Sequence, residues 1–217
     1  MAAVKKSGFT LVEILIAISI LTIVMGTVYA AYIGTFKIVE NTSSGNDIYR
    51  SARSTMTRMI TDLESVCRYG DSFRLISEEF EVKDERFMNL SFFSSAHLDP
   101  DYGDVTGLAL IGYYIVEGED EDSTLMREDT VLKDGDVNEE ELFRGDGFIL
   151  CNELRSVTYT FYDTKGEEYD SWNSGMGNQK NRIPAIISIH LEFANPDDID
   201  NPYRFMSKVF LPMVENQ

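Results

Sequence analysis

The chain has 217 residues, of which 43% are apolar and 12% aromatic. That is enough for one domain of ordinary size with a packed core, plus a further helix. Its 37 acidic against 19 basic side chains give a formal net charge of −18, a balance that repels phosphate backbones and argues against DNA or RNA as a partner.

The first readable stretch is Lys5-Lys6-Ser7-Gly8-Phe9-Thr10-Leu11-Val12-Glu13. Residues 14–36 then carry no charged side chain. A helix over those roughly 23 residues is about 34 Å long, enough to cross a hydrocarbon core of about 30 Å. The lysines precede it, so the positive-inside bias places residues 1–8 in the cytoplasm and the bulk of the chain outside. Glu13 is the anomaly, because an acid in a bilayer costs about 2.5–3.5 kcal/mol on insertion scales. One reading is a shallow acid that reaches the interface and has no role. The other is half of a charge pair made only in an assembly. A cut between Gly8 and Phe9 would create the other half, the α-amino group of a neighbouring subunit. An ordinary secretory signal has a shorter apolar core, although Ala30-Ala31 echoes its cleavage site. A plain anchor leaves the Gly8-Phe9-Glu13 spacing unexplained.

Past Lys37 the sequence turns polar, and Asn41-Thr42-Ser43-Ser44-Gly45-Asn46 reads as a weak point. Helical periodicity then resumes: Ile48, Ala52, Met56, Met59, Leu63 and Val66 form one stripe. Arg50, Arg53, Arg58, Asp62 and Glu64 are assigned to other faces. The helix is expected to end near Tyr69-Gly70, with Gly70 as the cap. Without proline between residues 9 and 99, a kink would have to come from Gly26, Gly34 or Gly45. The domain plan is a leader over 1–8, a membrane half-helix over 9–36, an amphipathic half-helix over 37–70 and a β-rich head over 71–217.

Strands are expected at 73–82, 88–94, 108–116, 124–131, 156–163, 185–193 and 203–211. These segments are rich in β-branched and aromatic residues and are bounded by Gly, Asp, Asn and Pro. Residues 156–163 alternate with period two, which predicts one buried face, and 185–193 is expected to be central. Short connections favour antiparallel pairing. Three acidic loops stand out: Asp99-Pro100-Asp101-Tyr102-Gly103-Asp104, Glu117-Gly118-Glu119-Asp120-Glu121-Asp122 and Asp197-Asp198-Ile199-Asp200. None matches the twelve-residue calcium loop, so they are read as solvated. Trp172 is expected to pack under a hairpin loop. The two cysteines, Cys67 and Cys151, permit a disulfide in an oxidising compartment; two buried thiols are the favoured alternative. His97 and His190 lie in no nucleophile motif, and there is no phosphate loop, so no enzymatic activity and no cofactor or metal are expected.

Lys5-Lys6-Ser7-Gly8 followed by Phe9-Thr10-Leu11-Val12-Glu13 resembles the class III signal of type IV pilins and type II secretion pseudopilins. In that family a prepilin peptidase cleaves after the glycine and methylates the new terminal phenylalanine. The resemblance therefore implies processing at Gly8 and Phe9, with Lys5 and Lys6 presenting the site, and an assembly role for Glu13. Further on, Tyr162-Asp163, Lys165-Gly166, Trp172 and Arg182-Ile183-Pro184-Ala185-Ile186, with the earlier Thr61-Asp62-Leu63-Glu64-Ser65-Val66, resemble the minor pseudopilin J family. That implies an α+β pseudopilin fold: a long N-terminal transmembrane-to-periplasmic helix packed on an antiparallel β-sheet head. The protein would be a single-pass inner-membrane subunit, later part of a short periplasmic fibre. The implied partners are minor pseudopilins I and K, the major pseudopilin, the prepilin peptidase and an inner-membrane assembly platform. A minor type IV pilin or competence pseudopilin is the alternative within the class. A membrane-anchored periplasmic binding protein is the alternative outside it.

Overall fold

With no proline to break it, the first helix is long: α1 runs from Leu11 to Glu64. The computed structural model describes residues 10–82, 85–97, 107–117, 123–132, 147–195, 198 and 200–212, leaving out the side chains of 35–46 and 82. The polar stretch expected as a weak point does not end α1, which continues through 41–46. The chain divides into two units, Met1–Ile48 and Tyr49–Gln217.

In the first unit, Leu11–Gly34 is long and apolar enough to cross a membrane, and none of it is buried against other parts of the chain. Its serine and threonine hydroxyls are satisfied within the helix. Ser19, Thr22 and Thr27 donate to the carbonyls of Leu15, Ile18 and Val24 at 2.8, 2.7 and 2.8 Å. A span in lipid needs every polar group paired internally, and these are.

In the second unit, the expected stripe is buried: Ala52, Met56, Met59, Leu63 and Val66 are all below a tenth exposed. The helix stops earlier than Gly70. The hydroxyl of Ser94 takes the carbonyls of Asp62 and Ser65 at 3.0 and 3.2 Å, and the Ser95 amide also takes Ser65. Orphan carbonyls at a helix end need such donors, and here a distant strand end supplies them. Val66 then bridges to Ser94. Gly70 instead turns the chain between Tyr69 and Ser72, which exchange backbone hydrogen bonds. Its φ of +60° suits a residue without Cβ.

The strands are β1 (Leu75–Val82), β2 (Glu85–Ser94), β3 (Ala109–Glu117), β4 (Ser123–Val131), β5 (Phe148–Tyr162), β6 (Glu168–Tyr169), β7 (Ile186–Phe193) and β8 (Tyr203–Phe210). They form one sheet in the order β1-β2-β3-β4-β5-β7-β8, with β6 paired to β5. Neighbours are antiparallel as expected, with one exception: Phe87 of β2 meets Val157 of β5 in parallel. Strand β5 is the hinge of this arrangement. Its first half pairs with β4 and its second half with β7, and Leu154 serves both. The junction is irregular. Glu153 has φ 60° and the register shifts on both sides, as a bulge requires. The strand expected over 156–163 covers only the second half of β5. In its second half Val157, Tyr159 and Phe161 are buried and alternate with half-buried neighbours.

β7 is not central but one strand from the β8 edge. The most enclosed strands are β2 and β3, whose successive residues are buried on both faces. The outer edge of β1 is met by the chain around Trp172. The Ser77 amide donates to the Trp172 carbonyl at 2.8 Å and the Ser174 amide to the Leu75 carbonyl at 3.0 Å. Trp172 is buried as expected, its indole N–H on the Arg182 carbonyl at 3.1 Å and its ring against Tyr169 and Phe161.

Candidate functional site

Lys5, Lys6, Gly8 and Phe9 lie outside the described residues, which begin at Thr10. Glu13 is described, and it closes a reciprocal cap on the first turn. The Thr10 amide and hydroxyl both donate to Glu13 Oε2 at 2.9 Å, and the Glu13 amide donates to Thr10 Oγ1 at 3.3 Å. Thr-x-x-Glu is the sequence form of this capping box. The cap satisfies orphan amide donors and places an acid near the positive end of the helix dipole. It does not cancel the carboxylate's charge. Among the described residues no cation pairs with Glu13, and residues 14–36 offer none.

A second acid on the same helix is treated differently. Asp62, assigned by periodicity to a face other than the apolar stripe, is fully buried. Arg127 Nε of β4 donates to Asp62 Oδ2 at 2.6 Å and its Nη2 to Oδ1 at 3.3 Å. The Tyr113 hydroxyl of β3 and Arg58, one turn back on α1, also donate to the Asp62 carboxylate. Arg127 reaches Asp129 Oδ2 at 2.8 Å, and His97 Nδ1 meets the other oxygen of Asp129 at 2.7 Å. Both arginines also donate to the Ala96 carbonyl, at 2.7 and 3.2 Å. The Phe148 ring lies 5.3 Å from the Arg127 guanidinium carbon. Two guanidinium groups thus face two carboxylates, with a neutral hydroxyl and a carbonyl filling the remaining positions.

Electrostatics follow from this closeness. Burial pulls the Arg127 guanidinium down, but hydrogen bonds and attraction from Asp62, then Asp129, overcome it and leave it more basic than usual. Burial, with Asp62 beside it, pushes the Tyr113 hydroxyl well above its ordinary value. The cluster pins α1, β3, β4 and the segment after β2 together without leaving a charge unpaired. Its chemistry is that of a fastening, since both Asp62 carboxylate oxygens are already engaged by donors of the chain itself. A sequence signal did exist. Thr55, Met59, Asp62 and Val66 step by four, three and four and are all buried, so Asp62 shares the apolar stripe's face.

The permitted pairing of Cys67 with Cys151 is not made; both thiols are free, the first half-buried and the second buried. Burial pushes the Cys151 thiol up to about 11 and raises Cys67 as well. His190 lies on β7 opposite Met206. Of the acidic loops, residues 99–104 and 118–122 fall outside the described residues, as do 197 and 199. Asp198 accepts a hydrogen bond from Asn201 at 2.7 Å. Among the described residues no group of three or more His, Cys, Asp or Glu side chains could hold a metal ion.

Against known families, residues 4–29 match the prokaryotic N-terminal methylation motif. The match takes in Gly8, Phe9 and Glu13 and the greater part of the apolar span. It marks a prepilin-type signal and supports a type IV pilin-like or pseudopilin-like protein, with processing by a prepilin peptidase and assembly into a pilus or pseudopilus. The apolar helix fits a single-pass membrane anchor, and the strand-rich unit that follows it fits an α+β pilin-like layout. No curated protein sequence matches the chain.

Proposed function

We propose that this chain is a minor pseudopilin of a type II secretion system, of the J family, and a structural subunit of the fibre tip. In this reading the peptidase cuts between Gly8 and Phe9 on the cytoplasmic side, and Phe9 becomes a methylated amino terminus. The subunit stays in the inner membrane through its apolar half-helix, with the β-rich head in the periplasm. It joins minor partners I and K above the major pseudopilin, on an inner-membrane assembly platform. The tip primes fibre growth, and the fibre supports export of folded proteins across the outer membrane.

The observation that carries the reading is one coincidence in sequence. The methylation motif at residues 4–29 overlaps a helical span whose one acid, Glu13, has donors but no countercharge among the described residues. A charge in hydrocarbon is tolerated when it is paired. The Phe9 amine of an adjacent subunit supplies that pair, and it exists only after cleavage. Assembly is thereby made conditional on processing.

The test uses two substitutions in the full chain, expressed with its own secretion genes. Gly8→Leu should leave an uncleaved precursor in the membrane. Glu13→Ala should be cleaved and methylated normally, yet be depleted from complexes isolated with other pseudopilins. Normal cleavage of the first, or full incorporation of the second, contradicts the proposal. Isolation with a type IV pilus or competence system instead would keep the class and move the protein to another machine.

A further inference from the structure

Cations are scarce in this protein, and three of them share one face of α1. Between Ile48 and Thr61 the sequence has Arg50, Arg53 and Arg58 and no acidic residue, in a chain of net charge −18. With Ser54, Thr57 and Thr61 they line a shallow open groove of about 460 Å³. Arg50, Arg53, Ser54, Thr57 and Thr61 are exposed. Among the described residues neither Arg50 nor Arg53 makes an ion pair. Arg58 is held by Asp62 and the Ala96 carbonyl, so its charge is already met within the chain and the groove's open charges are Arg50 and Arg53.

We infer that this stripe is a docking surface for a carboxylate-bearing helix of a neighbouring fibre subunit. The inference rests on the fibre-subunit reading above and adds to it the face and chemistry of contact. Shape selects the occupant. From Arg50 to Arg58 the stripe extends about 12 Å along the helix axis. Arg50 and Arg53 are both exposed and stand about 4.5 Å apart along that axis. A helix carrying Asp or Glu three or four residues apart could meet both Arg50 and Arg53. The residues between the arginines are small, which lets another helix approach closely. Charge selects as well. Copies of so acidic a chain repel one another over most of their surface, so an exposed cationic stripe marks where an acidic neighbour can approach. A membrane surface is the weaker occupant. Basic segments that hold anionic headgroups sit directly beside a membrane span, whereas the apolar span ends at Gly34, well before Arg50, and Glu40 and Asp47 intervene.

The test places a photo-crosslinking phenylalanine analogue at Ser54 of the full chain, in cells that express the complete secretion system. The expected adduct is with a second subunit that has itself lost its leader, through a helical segment containing Asp or Glu. Arg50→Glu with Arg53→Glu should lower its yield by about tenfold. Arg50→Lys with Arg53→Lys should hold it within about twofold. Changing the captured subunit's facing acids to arginine should restore the reversed variant. A phospholipid adduct, an adduct insensitive to charge reversal, or none from correctly matured protein overturns the inference. Intact mass of each variant keeps the two levels apart. An uncleaved leader on the parent protein sinks the fibre-subunit reading itself, whereas a cleaved and methylated parent that forms no adduct sinks only the stripe.

Discussion

Glu13 and Asp62 are acids on one helix, each among apolar neighbours, and the chain treats them in opposite ways. Asp62 receives two arginines and a tyrosine from its own chain. Glu13 receives only the amide and hydroxyl of Thr10. A carboxylate whose countercharges are internal fastens the fold. One that has donors but no countercharge is complete only when another molecule supplies it. The segments around them differ in the same sense. Leu11–Gly34 exposes apolar side chains all round and has no stripe to bury. From Ala52 onward the helix has a buried face and a charged one.

The largest expected effect breaks the internal case. Arg127→Ala strands the Asp62 carboxylate in the interior, and breaking a buried pair from one side costs about 3–5 kcal/mol. Thermal unfolding of the detergent-solubilised chain should shift down by about 10 °C. The double substitution Asp62→Leu with Arg127→Leu should cost less than the sum of the single ones. Additive losses would mean that the two side chains do not act as a pair.

A smaller effect comes from pH. The Cys151 thiol has a folded value of about 11 against an ordinary 9.0, through burial. A raised folded value means that the neutral thiol's contribution is whole below about pH 9 and is lost as pH climbs to about 11. The loss is on the order of 2–3 kcal/mol, and the buried Tyr113 hydroxyl adds to it in the same direction. Cys151→Ala should flatten the decline seen in melting temperature over that window. Maleimide at pH 8 should label Cys67 in the folded protein and Cys151 only after unfolding. Equal labelling of both would contradict the burial difference.

The pattern of hits and misses follows from how local each signal is. The stripe from Ile48 to Val66 and the strands of the head were legible because apolar periodicity is written in consecutive residues. Asp62 has the spacing of the buried face but reads as a surface acid, because the partners that allow its burial, Tyr113 and Arg127, are distant in sequence. The helix end was misplaced because its cap is Ser94, a strand residue no local rule can nominate. The first half of β5 was missed because a bulge at Glu153 interrupts its alternation. The signal around Gly8, Phe9 and Glu13 was legible because it is short and contiguous.

The smallest effect sharpens the external case. Thr10→Ala removes the cap on α1, worth about 1 kcal/mol, and leaves the Glu13 charge in place. It should be processed and assembled like the parent chain, whereas Glu13→Ala is processed but left out of the complex. Equal assembly defects in the two would assign Glu13 to capping alone.

The most direct single measurement is the intact mass of the protein extracted from membranes of cells that carry its secretion genes. The account predicts a chain that begins at Phe9, bears one added methyl group and retains both thiols. A chain that begins at Met1, or at a small residue near Ala31, would contradict it.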